Sequence, residues 1–166
     1  MRPDVVACGI AMIFALHGAA AQSEVRYNAK TNYALHCQGC HGADGIGALP
    51  EKIPPLADSI GYFLRVPEGR RYLVQVPGVA FAAVDDEALA EVLNYVLLRF
   101  SAAQLPATFR PYSADEVARV RRSPEDIVSL RARLAAELRE KQGICVWAGD
   151  GAAWGAGCGE AYGLVD

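Results

Sequence analysis

The stretch from Tyr33 to Gly47 constrains this chain more than any other, because it packs two thiols and an imidazole into five consecutive residues. Cys37 and Cys40 are separated by two residues, and His41 follows directly. Residues three positions apart lie on nearly the same side of a helical turn, so both sulfurs face one way. This spacing is the attachment signal for a c-type haem, whose vinyl groups bond to the sulfurs and whose iron binds the imidazole. The sequence therefore predicts one covalent haem c, held by both cysteines, with His41 as the iron ligand.

The N-terminal segment has the pattern of a secretory signal. Residues 5–16 (VVACGIAMIFAL) are apolar, but the run is short for a bilayer span. Alanines at 19–21 then provide the small residues of a cleavage site. We therefore predict a signal peptide over residues 1–21, a mature chain that begins at Gln22, and a periplasmic location without a membrane span. An uncleaved N-terminal membrane tether is the alternative.

The cysteines leave a second use open. In an oxidising compartment a bare pair of thiols at this spacing would be oxidised unless something uses it. A zinc module built from the four cysteines after the signal is one alternative, although it leaves the adjacent His41 unexplained. Those cysteines are Cys37, Cys40, Cys145 and Cys158, and the last two are also a candidate disulfide pair. The net charge of −3 gives no support for nucleic-acid binding.

Over about Ser23 to Ser101 the chain resembles a class I c-type cytochrome. The segment CHGADGIG is similar to the family pattern Cys-His-Gly-x-x-Gly-x-Gly, and the segment IPPL at 53–56 is similar to its Pro-x-Leu element. The resemblance implies an all-α fold, a small helical domain around one covalent haem. By its distance from His41, it also implies that the Pro54 carbonyl accepts a hydrogen bond from the proximal imidazole. Leu56 belongs to the same element, and Pro55 is the near alternative to Pro54.

Two helices are predicted to pack on each other beside the haem. The first, over Tyr27 to Leu35, is implied by the resemblance, whereas the last, from Asp85 to Phe100, also follows from the residues themselves. Asp85 is a suitable N-cap, and acidic residues fill the first turn, where negative charge suits the helix dipole. Apolar residues then recur at helical spacing and form one wide face. Residues 22–101 are therefore the predicted cytochrome domain.

The second iron ligand of the family is missing from its expected place. Electron carriers of this class usually bind iron with His on one side and Met on the other. Both methionines, Met1 and Met12, precede the predicted cleavage site. The family position falls on Val79, so we predict an apolar distal face lined by Val79 and Phe81, with a five-coordinate iron. The other candidate ligands are Lys52, Tyr72, Asn94, Tyr95 and Lys141, whereas His36 is too close to Cys37 to reach the other face of the ring.

The segment FLRVPEGRRYLVQ carries basic and aromatic residues suited to the haem carboxylates. Arginine forks match carboxylates in geometry and charge, and Arg71 or Tyr72 is the predicted propionate partner. A solvated basic loop is the alternative interpretation. The apolar residues at 60, 63 and 64 predict a middle helix that packs on the haem edge.

The C-terminal part is predicted to be a linker and helical extension, residues 102–143, followed by a Gly- and Ala-rich tail, residues 144–166, that is expected to be poorly ordered. Ser113 and Glu116 form a capping-box pattern that opens a short helix. Ser123, followed by a proline and two acids, is the predicted N-cap of a second helix that ends at Gly143. Its basic residues, Arg131 among them, are predicted to lie opposite an apolar stripe. This extension either covers the haem domain or docks a redox partner.

These patterns predict an exported monohaem c-type cytochrome that is an electron carrier rather than an enzyme. Peroxidase chemistry needs a distal acid or base, and none is evident in the predicted distal loop. The carrier would transfer single electrons between redox proteins, such as a periplasmic dehydrogenase or oxidase. The first alternative is a haem protein that binds CO or NO at an open distal site, and the second is the zinc module.

Overall fold

The computed structural model describes residues 26–47, 53–122 and 126–147. Within these ranges the chain is helical and has no strand, so the predicted all-α fold class is confirmed. None of the described helices is both long and apolar enough to cross a bilayer. The predicted signal peptide, Lys52, Cys158 and residues 148–166 of the tail lie outside the described residues. The α-helices are α1 (Ala29–His36), α2 (Gln38–His41), α3 (Gly69–Gln75), α4 (Pro77–Ala80), α5 (Asp86–Phe100), α6 (Ala114–Arg121) and α7 (Ile127–Gln142), and 3-10 helices cover Ile60–Arg65 and Ala102–Gln104.

Helix α5 is the central helix of the fold. The predicted N-cap is confirmed, since the Asp85 carboxylate accepts a hydrogen bond from the Ala88 amide at 2.7 Å. The apolar face of α5 is buried along its length and packs against α1 and α6. At the crossing with α1, Tyr33 is 2% exposed and its ring centroid lies 5.2 Å from that of Phe100. This aromatic contact fixes the two helices that flank the haem motif.

Helix α1 begins at Ala29, two residues later than the sequence predicted. The side chain of Asn28 accepts a hydrogen bond from the Thr31 amide at 3.0 Å, which satisfies a donor that the first turn would otherwise leave free. The chain before Ala29 is therefore extended rather than helical.

The C-terminal extension forms part of the main hydrophobic core. Helix α7 packs on α3 and on the 3-10 helix Ile60–Arg65, and α6 packs on α3 and α5. Burying a leucine side chain contributes about 1.5–3 kcal/mol, so these contacts make the extension a part of the folding unit rather than a loose cover. The buried residues of the extension include Val117, Leu130, Leu134 and Leu138, each no more than 2% exposed. Val146, at the start of the predicted tail, is also 2% exposed and belongs to this core, so the expectation of a poorly ordered tail is wrong for residues 144–147.

A polar cluster joins α3 to the extension. The guanidinium of Arg70 pairs with the Glu116 carboxylate, with Nη2 and Oε2 2.8 Å apart, and it also donates to the Pro111 carbonyl at 2.9 Å. The Arg70 side chain lies over the Tyr112 ring, 4.0 Å from its centroid, and the Tyr112 hydroxyl donates to the Arg70 carbonyl at 2.8 Å. Asn94 of α5 completes the cluster by bonding both backbone groups of Tyr112. These contacts hold the linker segment against α3 and α5.

Both predicted helix starts in the extension differ in detail. The Ser113 hydroxyl accepts from the Glu116 amide at 3.3 Å, as a capping box requires, but the Glu116 carboxylate pairs with Arg70 instead of returning to the Ser113 amide. Helix α7 begins at Ile127 with Asp126 as N-cap, so the predicted start at Ser123 is wrong. The Asp126 carboxylate accepts from the Ser129 amide at 3.2 Å and takes the capping role. The helix ends as predicted at Gly143, whose φ is 66°.

Candidate functional site

The two thiols and the imidazole share a single helical turn. Helix α1 ends where the Cys37 amide donates to the Tyr33 carbonyl at 2.9 Å, and α2 then begins at Gln38. The Cys37 carbonyl accepts from the amides of Cys40 at 3.2 Å and His41 at 3.0 Å. Both cysteines are free thiols; Cys37 is half-buried and Cys40 is exposed. Burial raises the pKa of Cys37, and the nearby Cys40 adds to the effect.

The loop after the motif folds back beneath it. The Gly47 amide donates to the His41 carbonyl at 3.0 Å, and the Tyr33 hydroxyl donates to the Gly42 carbonyl at 2.6 Å. Gly45 has a φ of 78° and sits so close to the Phe100 ring that a Cβ atom would lie 3.0 Å from it. A side chain is excluded there on both backbone and packing grounds. The loop thereby returns the chain to the proline segment that follows.

The imidazole of His41 is held neutral and faces Pro54. Burial lowers the pKa of His41, while the Pro54 carbonyl acts in the opposite direction. This carbonyl is near enough to favour a protonated Nδ1. The geometry nevertheless does not meet the criteria for a hydrogen bond, so Nδ1 is a buried polar atom without a hydrogen-bond partner. A neutral ring is the form that binds a metal ion.

The motif opens onto a cavity that encloses about 750 Å³ of empty space, part of it open to solvent. We call Cys37, His41 and residues 54–56 its proximal wall, and Val76, Gly78, Val79 and Ala82 its distal wall, after their expected places relative to the iron. A concave, mostly apolar lining with a few polar groups is typical of sites for small molecules and cofactors. The lining residues are Cys37, His41, Pro54, Pro55, Leu56, Ile60, Phe63, Tyr72, Leu73, Val76, Gly78, Val79, Ala82, Leu89, Val92, Leu93, Val96 and Arg131.

The structure brings six of the predicted site residues to this cavity and leaves two outside its lining. Cys40 lies on the exposed side of the turn, next to the cavity. Arg71 points away, and its guanidinium pairs with Glu68 at 2.6 Å. Phe81, predicted to line the distal face, is 85% exposed, so that expectation is wrong. The six at the cavity are Cys37, His41, Pro54, Leu56, Tyr72 and Val79.

Most candidate distal ligands are engaged elsewhere. The ammonium of Lys141 pairs with Glu137 at 2.7 Å on the surface, and Asn94 holds the Tyr112 backbone. Tyr95 packs against Tyr33, with ring centroids 5.8 Å apart. Among the candidates within the described ranges, only Tyr72 lines the cavity.

Arg131 of α7 is a cavity residue that the sequence analysis missed. Its Nε donates to the Trp147 carbonyl at 2.8 Å, and its Nη1 donates to the Tyr72 hydroxyl. Burial raises the pKa of Tyr72, although the charge of Arg131 opposes this. Ala135, a buried small residue one turn later, widens the apolar stripe of α7 toward Arg131, but an alanine in the sequence is equally compatible with a solvated face.

Arg121 of α6 was also missed, and it holds the distal loop from behind. Its guanidinium donates to the carbonyls of Ala80 at 2.7 Å and Val84 at 2.9 Å, and to that of Ala82. It also pairs with the Asp86 carboxylate at 3.1 Å, and its side chain is only 13% exposed. One side chain therefore binds three carbonyls of this loop, residues 76–84, and one of them, that of Ala82, also accepts from the Val84 amide at 2.9 Å.

The fold and the site define the class of protein. A Cys-x-x-Cys-His turn opens onto an apolar cavity between helices, with a neutral imidazole and a thiol on one wall. These groups fit a covalently attached haem, because the apolar walls match the porphyrin and the imidazole can bind the iron. The molecule is thus a small helical protein of the c-type cytochrome kind.

Comparison with known proteins agrees with this class. Cytochrome c-552 of Thermus thermophilus is 30% identical over 119 aligned residues, which cover 59% of this chain and 90% of that protein. A second cytochrome c-552, from a defined strain of the same species, is also 30% identical, and 80% of it is covered. No family model matches the chain. The chain belongs to the c-type cytochromes, and the predicted cofactor, covalently attached haem c with its iron, is confirmed.

Proposed function

We propose that this chain is a periplasmic monohaem cytochrome of the class I type that lacks the usual Met ligand and carries single electrons between redox proteins, such as a periplasmic dehydrogenase and an oxidase. The observation that carries the proposal is the cavity, since the Cys-x-x-Cys-His turn opens directly onto a largely apolar space. When bound there, the haem iron supplies the redox chemistry by changing between its ferric and ferrous states. Among the described lining residues there is no carboxylate that would serve as an acid or base, which favours a carrier over an enzyme.

Cys37 and Cys40 are the proposed attachment points. Cys37 lines the cavity, and Cys40 is exposed on the same helical turn. Two bonds from one turn would fix the haem, and the exposed position of Cys40 would let a redox partner approach near the attachment point. Because burial raises the pKa of Cys37, we expect its thiol to need deprotonation by the attachment machinery.

His41 is the proposed iron ligand, and Pro54 is its proposed positioning partner. Burial keeps the imidazole neutral, so a ring nitrogen has a free electron pair for the iron. The Pro54 carbonyl faces Nδ1 and would hold the proton there, which leaves Nε2 for the metal. The adjacent Leu56 and Pro55 close the proximal wall against water.

The distal wall supports a second candidate function, the binding of CO or NO. None of the described residues in this wall is Met, His or Lys, and Val79 stands where the family resemblance places a ligand. The Tyr72 hydroxyl is already engaged with Arg131. An apolar wall suits a neutral diatomic ligand, because it offers no charge and no hydrogen bond that an anion would need.

Absorption spectra of the reduced holoprotein, recorded with and without CO, separate the two functions. A high-spin spectrum that shifts with CO is the expected result for an open distal site, whereas sharp low-spin bands that ignore CO would exclude it. Val79→Met is expected to abolish the CO shift by adding a thioether to the distal wall, and Val79→Leu, which adds similar bulk without a donor, should retain it. A carrier also requires a reversible one-electron couple in voltammetry, and its absence would reject the electron-transfer proposal.

The zinc alternative is not favoured by the cysteines. Cys145 is disulfide-bonded, and a disulfide sulfur is not the thiolate that zinc binds. Its pairing with Cys158 stays a prediction, because Cys158 lies outside the described residues. Within those residues, no cluster of three or more His, Cys, Asp or Glu side chains is arranged to hold a metal.

A further inference from the structure

One permanently charged side chain lies among the described residues that line the cavity, and it comes from the C-terminal extension. Arg131 sits on α7, which packs on α3 and on the 3-10 helix Ile60–Arg65. The cysteine turn belongs to the part of the fold where α1 and α2 pack on each other and α1 packs on α5. The cation and the attachment motif therefore reach the same space from different elements.

The Arg131 side chain is fixed in its position. Its Nε and Nη1 are engaged with the Trp147 carbonyl and the Tyr72 hydroxyl. Three aromatic rings surround the guanidinium carbon, which lies 4.9 Å from the Trp147 ring centroid, 5.2 Å from that of Phe63 and 5.8 Å from that of Tyr72. Cation–π contacts of this kind orient the planar group before any ligand arrives.

The charge of Arg131 is nevertheless uncompensated within the described residues. A guanidinium has five N–H donors, and the two contacts above use only part of them. The described ion pairs include no carboxylate partner for Arg131, and it stands in a cavity whose other walls are apolar. A half-buried cation in such a place is costly unless an anion joins it. The other arginines near the cavity are already paired, Arg71 with Glu68 and Arg121 with Asp86.

We propose that Arg131 binds a carboxylate of the haem, that is, one of its propionates, and so is the positioning residue that ties the C-terminal extension to the redox centre. The proposal rests on the haem of the proposed function being bound in this cavity. A planar guanidinium matches a carboxylate with two parallel hydrogen bonds. The sequence analysis predicted Arg71 or Tyr72 in this role. Tyr72 remains part of the arrangement, but as the group that holds Arg131 in place.

This ion pair has a measurable effect on the iron. A cation that neutralises a propionate removes negative charge near the metal, which favours the ferrous form and raises the reduction potential. The pair also keeps the propionate ionised across the neutral range, because an adjacent opposite charge lowers a carboxyl pKa. The potential of the wild-type protein should therefore change little with pH between about 5 and 8.

The test is a redox titration of the holoproteins carrying Arg131→Gln and Arg139→Gln. The second is the matched control, because Arg139 lies on the same helix, is exposed, and loses the same charge. We expect Arg131→Gln to shift the ferric-to-ferrous ratio at a fixed potential by roughly tenfold toward ferric, which is about 59 mV for one electron, and to make the potential depend on pH. Arg139→Gln should do neither.

Equal shifts of the reduction potential in the two variants, or no shift in either, would overturn the proposal. An arginine that only packs against its rings would change the stability of both redox states together and would not introduce a pH dependence. If Arg131→Gln does not mature, a structure of the wild-type holoprotein decides: a guanidinium nitrogen within about 3 Å of a propionate oxygen supports the pair, and a gap of more than about 4 Å rejects it. Colourless protein would instead reject the proposed function, whereas coloured protein with an unshifted Arg131→Gln variant rejects only this inference.

Discussion

The proximal and distal walls of the cavity are built in opposite ways. The proximal wall is held by short-range bonds, such as those from the amides of Cys40 and His41 to the Cys37 carbonyl and from Leu56 to Gly45. The distal loop has short-range bonds too, such as that from the Ala82 amide to the Val79 carbonyl at 3.2 Å, but it is also held by Arg121, which lies 37 to 41 residues further along the chain than the carbonyls it binds. The wall that carries His41 is therefore held mainly by local bonds, whereas the opposite wall also depends on the C-terminal extension.

This difference is consistent with the proposed site, in which the distal loop keeps its shape without a methionine ligand. A distal methionine would anchor its loop to the iron, whereas Arg121 anchors the loop to the protein. The polar cluster around Arg70 and Glu116 supports the same arrangement by fixing α6 against α3. Four experiments test this contrast, beginning with the one of largest expected effect.

Removing both thiols with Cys37→Ser and Cys40→Ser should abolish covalent haem, because no other free cysteine lies within the described residues. Intact mass and haem staining after denaturation measure the outcome. The control is Cys145→Ser, which removes a disulfide and not an attachment point, and should leave the haem in place. Haem that stays covalently bound in the double variant would contradict the assignment of the proximal wall.

Arg121→Gln should loosen the distal wall and leave the proximal wall intact. The loss of three carbonyl contacts and an ion pair is expected to cost about 2–4 kcal/mol in the free energy of unfolding, measured by urea denaturation. Amide hydrogen exchange should rise in residues 79–84 and not in residues 37–42. The control, Arg122→Gln, affects a side chain that is 77% exposed and should cost less than about 1 kcal/mol. An equal rise in hydrogen exchange in both segments would show that Arg121 does not stabilise the distal wall selectively.

Glu116→Gln should destabilise the extension in a pH-dependent way. Burial alone would raise the pKa of Glu116, but its hydrogen bonds and charge contacts with Arg70 and Arg110 outweigh this and leave the pKa lowered. A lowered folded-state pKa means that the stabilisation is present above the unfolded pKa and is lost as pH falls through the folded one. We expect the variant to be about 1–3 kcal/mol less stable near neutral pH and to converge with the wild type in acid. Parallel curves from neutral to acidic pH would show that the ion pair is not the cause.

Removing the N-cap of α1 and removing that of α5 should lower the free energy of unfolding by similar amounts. Asn28→Ala removes the N-cap of α1, beside the motif, and Asp85→Ala removes that of α5, after the distal loop. Each is expected to cost about 1 kcal/mol in thermal denaturation, because each leaves one amide without its acceptor. A much larger loss at Asp85 would show that the cap itself, and not only Arg121, holds the distal loop.

The proximal wall could be predicted from the sequence better than the distal wall. The start of α5 and the Cys-x-x-Cys-His turn follow from local patterns, since capping and motif spacing act within a few residues, whereas the all-α fold and the places of Pro54 and Leu56 came from the family resemblance. Arg131 could not be placed, because an arginine beside an apolar stripe is typical of a solvated face unless the partner surface is known. Phe81 was misplaced for a similar reason: α4 directs Val79 into the cavity and leaves Phe81 at its C-cap, outside.

The dependence of the distal wall on Arg121 has a consequence for biogenesis. The residues that carry the thiols are synthesised long before α6 and α7, so the pocket is still open on one side when the cysteine turn first forms. The prosthetic group can enter through that gap, and the last third of the polypeptide then closes it, so that the order of synthesis is also the order of assembly.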